Sequence, residues 1–77
     1  MKVITDNPMS IDEVFEFTGK NAIYQSANLG RVLIYNAAGG KEIEVDNIAI
    51  IKGKKFGLRK RKSSNNTTFD YIGVLIK

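Results

Sequence analysis

A chain of 77 residues, 43% apolar and 26% charged, has room for one small domain over residues 1–77 with a core of modest size. It contains no cysteine and no histidine, which removes disulfides, cysteine-based metal or redox chemistry, and the commonest general base. The net charge of +4 conceals an asymmetry: residues 1–51 hold four Lys or Arg against seven Asp or Glu, and residues 52–77 hold eight against one.

No apolar run approaches the length of a membrane span, and Met1 to Pro8 lacks the apolar stretch of a signal peptide. A soluble, cytoplasmic protein without membrane contact is the expectation. Ile, Lys and Asn, all with AT-rich codons, make up about a third of the chain. That composition suits a phage or a low-GC bacterium.

Residues 2–4 suit a short edge strand, stopped by the turn chemistry of Asp6-Asn7-Pro8. Ser10 and Glu13 then have the spacing of a capping box, with Met9 and Val14 at the positions of a hydrophobic staple. Ile11, Val14, Phe15 and Thr18 recur at i, i+3, i+4 and i+7, opposite Asp12, Glu13 and Glu16. These signals predict a two-turn amphipathic helix over residues 10–18, closed by Gly19 as a left-handed C′ residue.

Residues 21–30 admit two readings. Asn21 as N-cap and Gly30 as C′ would frame a second helix, and residues 10–29 would then loosely resemble a helix-turn-helix with Gly19 at the turn. Against that, Lys20 and Gln25 fall where the motif wants apolar side chains. In the other reading Ala22 to Ser26 is a short strand.

From Arg31 onward the texture is that of strands. Arg31 to Asn36 is β-branched and aromatic, and Ala37 to Lys41 turns the chain. Glu42 to Asp46 alternates, with carboxylates on one side and Ile43 and Val45 on the other. At Asp46-Asn47 the apolar parity passes from odd to even residues, so a bulge, bend or turn is expected there. Ile48 to Lys52 resumes as strand, and Gly53-Lys54 suits a type II′ turn. Such a hairpin sets Lys52 against Lys55, Ile51 against Phe56, Ala49 against Leu58 and Asp46 against Arg61. Ser63 to Thr68 reads as a polar, flexible connection, and Phe69 to Ile76 as a mostly buried last strand.

The predicted fold is α+β: a short N-terminal helix, with a second one admitted, then a four- or five-stranded antiparallel sheet or a small, partly open barrel. A helix followed by a short bent sheet resembles the Sm-like RNA-binding fold in the order of its elements.

Residues 52–62 carry the functional signal, with seven cations and no acid among eleven residues. On a strand, Lys55, Gly57, Arg59 and Arg61 share one face, and Phe56, Leu58, Lys60 and Lys62 the other. Successive side chains on one face lie roughly 7 Å apart, a spacing suited to phosphates. The expectation is a non-enzymatic domain that binds nucleic acid, DNA or RNA, through Lys52, Lys54, Lys55, Arg59, Lys60, Arg61 and Lys62. Tyr35 and Tyr71 are the first candidates for base stacking, because a hydroxyl prefers a wet rim. A plainer account makes the run a solvated edge strand, or pairs it with the chain's own acids. An acidic protein partner is a further reading.

Glu42, Glu44 and Asp46 lie too far apart on one strand face to converge unaided on a divalent cation, so neither metal nor cofactor is expected. They also fit a phosphate-mimicking decoy in a small phage-like inhibitor, or an acidic strip pairing with Arg59 and Arg61. Gly19-Lys20 and Gly40-Lys41 lack P-loop spacing, and no Ser or Thr has a partner base, so catalysis is not expected. Exposed sheet edges on so small a domain leave room for a homodimer.

Overall fold

In a computed structural model, which describes residues 1–19, 22–61 and 69–77, the chain forms one helix and seven strands among those residues. In chain order they are β1 (Lys2–Ile4), α1 (Ile11–Thr18), β2 (Ile23–Ser26), β3 (Gly30–Tyr35), β4 (Glu42–Glu44), β5 (Asn47–Ile51), β6 (Lys54–Lys60) and β7 (Tyr71–Leu75). Five strands in the order β2-β3-β7-β6-β5 make a sheet curled into a half-barrel, and β1 pairs with β4 in a separate layer. The α+β class is as expected. The sheet, however, is mixed: β7 enters between β3 and β6, antiparallel to β6 and parallel to β3. A parallel pair needs a long crossover connection, and the chain between β3 and β7 supplies one. No helix among the described residues is long and apolar enough to cross a membrane.

The predicted helix ends form, except for the return bond from Glu13 to the Ser10 N–H. Ser10 Oγ accepts the Glu13 N–H at 3.1 Å, and Gly19, at φ +75°, donates its N–H to the Phe15 carbonyl. The Glu13 carboxylate lies instead 3.7 Å from Lys54 Nζ. The buried side of α1 differs from the spacing-based stripe. Phe17 is its buried residue and Val14 packs beside it, whereas Ile11 is 85% and Phe15 58% exposed. Phe17 wins because its ring meets two others, Tyr24 at 5.1 Å and Phe56 at 5.5 Å between centroids. So short a helix takes its orientation from packing.

Residues 23–26 are strand, which removes the second helix and the helix-turn-helix likeness. Gly30, at φ +83°, opens β3 instead of closing a helix, with the Asp70 carboxylate packed where a Cβ would stand. Lys20 and Asn21 lie outside the described residues. Ser26 Oγ closes the β2–β3 turn by accepting the N–H groups of Asn28 and Leu29 at 3.3 and 3.2 Å.

The β5–β6 hairpin turns one residue earlier than predicted. Lys52 and Gly53, at φ +49° and +78°, are its two central residues, the type I′ pattern. Ile51 pairs with Lys54, Ala49 with Phe56 and Asn47 with Leu58. Moving the turn by one residue slides the register by two, so Ala49 and Ile51 still lie on the side of Phe56 and Leu58. The break at Asp46 is real, because the chain leaves the β1–β4 layer there and joins the main sheet. The core set nonetheless stays on odd residues, with Val45 and Ile51 buried, Ala49 packed against the core, and Ile50 67% exposed.

Val32, Ile34, Ile51, Phe56 and Leu58 form the core on the inner face, closed by Met9 and Phe17. On the outer face, Val3 and Val45 lie over Gly57, where a Cβ would come 2.8 Å from Val45 Cγ1. Fully buried Thr5 ties down residues 38–41: its Oγ1 donates to the Ala38 carbonyl at 2.6 Å and accepts the Lys41 N–H at 2.9 Å. Asn36 does the same for the entry to α1, donating to the Met9 carbonyl at 3.0 Å and accepting its N–H at 3.3 Å.

Candidate nucleic-acid interface

Strand register sets the composition of the outer face. Leu33 and Arg59 both pair with Ile72, making one cross-strand row, and Tyr35 and Gly57 both pair with Val74, making the next. A third row follows from backbone bonds: the Asp70 N–H donates to Arg31 O at 2.7 Å and the Arg61 N–H to Asp70 O at 3.1 Å. Arg31, Asp70 and Arg61 are therefore neighbours across three strands. Side chains two apart along a strand share a face, so the three rows look outward together.

The β1–β4 layer covers only part of this face. Beside it runs a groove of about 280 Å³, with Leu33, Ile72 and Val74 in its floor and Ile43 of β4 in its wall. Tyr35, 58% exposed, and Arg59, also exposed, contribute its polar rim. The two stand two strands across and two residues along, roughly 12 Å between Cα atoms on ideal sheet spacings.

The seven cations of residues 52–62 are divided among several surroundings. Arg59 has no ion-pair partner among the described residues. Arg61, half-buried, follows the end of β6 beside Asp70. Lys60 is exposed, and its backbone N–H donates to Asp46 Oδ2 at 2.7 Å. Lys55 is exposed opposite Ile50 on the outer face, but the Val3–Val45 cover over Gly57 separates it from Arg59. The cationic face expected along the whole strand is thus interrupted, because β6 is buried on both sides at Gly57.

Lys52 and Lys54 turn toward α1. Lys52 Nζ donates to the Phe17 carbonyl at 3.1 Å and lies 5.1 Å from the Phe17 ring centroid and 5.4 Å from that of Tyr24. Lys54 meets Glu13. Lys62 lies outside the described residues. Tyr71, paired with Val32 and Lys60, packs against the core, away from the groove.

The acidic strip is engaged within the protein. Glu42 meets Lys2 at 3.6 Å and Glu44 meets the N-terminal amine at 2.9 Å, while Asp46 holds the Lys60 N–H. Among the described residues no ion pair joins these acids to Arg59, the pairing expected in the alternative reading of the strip. The acid beside the arginines is Asp70, whose Oδ2 accepts the Arg31 N–H at 2.9 Å and lies 3.8 Å from Arg31 Nε.

Arg31 is the residue that sequence reasoning missed. Its membership of this face follows from the parallel β3–β7 pairing, a contact between distant segments with no local signature. The one readable hint was its position at the head of a strand, in phase with Leu33 and Tyr35.

Compared with protein-family models, curated proteins and solved structures, the chain matches none.

Proposed function

We propose that this is a non-enzymatic, cytoplasmic nucleic-acid-binding domain. It contacts phosphates through the end of the outer sheet face that carries Arg31, Arg59 and Arg61, with exposed Lys60 beside them on the opposite face of β6. Of the basic run, Arg59, Lys60 and Arg61 contribute; Lys52 and Lys54 turn toward α1 instead.

The observation that carries this reading is Arg59, an exposed guanidinium without an ion-pair partner among the described residues, on a groove shared with an exposed tyrosine. A guanidinium so placed is suited to fork onto a phosphate. The reading of Glu42, Glu44 and Asp46 as a phosphate-mimicking decoy has weaker support, since each already has a partner inside the protein.

Fluorescence anisotropy with labelled oligonucleotides over a salt series tests the proposal. Neutralising about three phosphates gives a log–log salt slope near −2 on single strands. A slope near zero rejects it. Pull-down from lysate before and after nuclease treatment separates it from docking on an acidic protein, because partners held through nucleic acid disappear after digestion.

A further inference from the structure

We infer that the Tyr35–Arg59 groove receives one unstacked nucleobase, so that the ligand of this face is single-stranded nucleic acid and not a duplex. The inference rests on the nucleic-acid reading above and specifies its substrate.

The groove combines surfaces that no phosphate backbone can satisfy alone. Its floor of Leu33, Ile72 and Val74 is apolar, and phosphate or sugar laid on it would lose water without gaining a partner. A flat aromatic base gains by covering it. In a duplex those base faces are stacked on one another and out of reach.

Tyr35 supplies the platform. Phe17, Tyr24 and Phe56 spend their rings on one another, whereas Tyr35 leaves more than half its surface open. Its backbone is set by pairing with Val74, and the next residue, Asn36, is bonded at both ends of its amide to Met9. The backbone that carries the platform is therefore held in place before any ligand arrives, which lowers the ordering cost of binding.

Charge complements the apolar floor. Arg59 stands at the opposite rim, in reach of the phosphate next to a base lying on Tyr35. Arg31 and Arg61 follow one row further, roughly 7 Å along the strands. An unstacked strand can cross that distance between one phosphate and the next. The volume of about 280 Å³ is at the low end for small-ligand sites, which suits a single base. With an apolar floor, the groove reads the presence of a base more than its identity.

The test compares four labelled 12-mers of matched sequence at low salt by anisotropy: single-stranded DNA, single-stranded RNA, duplex DNA, and an abasic single strand with the same number of phosphates. Both base-bearing single strands are expected to bind roughly tenfold tighter than the abasic strand, and tighter than the duplex. Tyr35→Ala should lower their affinity to the abasic level while leaving abasic binding unchanged, and Tyr35→Phe should retain most of it. Equal affinity for abasic and base-bearing strands, or tighter binding of the duplex, overturns the inference while leaving the phosphate reading intact. Failure of all four to bind removes both. Should Tyr35→Ala not fold, the abasic comparison on the unaltered protein decides by itself.

Discussion

The ammonium of Lys52 lies 3.1 Å from the Phe17 carbonyl oxygen and 5.1 Å from the centre of the Phe17 ring, pinning the β5–β6 turn to the last turn of α1. The first cation of the basic run is thus a structural residue. Lys52→Asn keeps a side chain that tolerates the positive φ of this turn while removing the ammonium. It should lower stability by about 1 kcal/mol, read from the urea midpoint. Nucleic-acid affinity should stay within about twofold, since a side chain committed to Phe17 has little to give a phosphate. A loss of affinity at unchanged stability would reassign Lys52 to the interface.

Gly57 is held by space. A methyl group there meets Val45 Cγ1 at 2.8 Å and Ile76 Cγ2 at 3.3 Å, both in packed surroundings. Gly57→Ala is expected to cost about 1–3 kcal/mol by lifting the β1–β4 layer. Combining it with Val45→Ala should cost less than the two changes added together, because one opens the room the other needs. Strict additivity in urea denaturation would show that the layer does not press on β6.

Asp70 sits between Arg31 and Arg61 and subtracts one charge from the row. Asp70→Asn keeps an oxygen to accept the Arg31 N–H and deletes that charge. At roughly 7 Å in water, a unit charge is worth about 0.6 kcal/mol, so single strands should bind two- to threefold tighter at low salt. Weaker binding would mean that the carboxylate is needed to aim Arg31.

The α1 orientation gives a sharp contrast. Ile11→Gln should change stability by less than about 0.5 kcal/mol, because the side chain is almost wholly in solvent. Ser10→Ala should cost about 1 kcal/mol through the lost cap. Phe17→Ala should cost about 3–5 kcal/mol, enough to unfold so small a domain. A reversed order of Ile11 and Phe17 in thermal unfolding would restore the face implied by spacing alone.

What could be read from residues alone was what neighbours in sequence decide. Ser10 with Glu13 marks a helix start wherever it stands, Gly19 its end, and the shared face of Phe56 and Leu58 survives even a misplaced turn, whereas the apolar set of β5 stays on odd residues against the expected shift to even ones. Illegible were the decisions made by distant segments. Nothing local to β7 announces that it lies parallel to β3, so the partnership of Arg31 with Asp70 stayed hidden. Ile11 and Phe15 repeat at helical spacing as Val14 and Phe17 do, and only the rings of Tyr24 and Phe56 choose between the stripes. The even spacing of cations on β6 gave no sign that Val3 and Val45 close over Gly57 and divide them.

The placement of β7 has a consequence for how the molecule comes into being. Its final strand occupies the middle of the sheet, so without it β2–β3 and β5–β6 are two separate hairpins with no ladder between them. Assembly then awaits a docking step that closes long loops, the slow kind of event in small domains. Until residues 71–75 slot in, both hairpins present an unpaired edge, and the arginine row of the outer face does not exist. Refolding should therefore show the Tyr35–Arg59 groove maturing together with the global transition, with no earlier phase of its own.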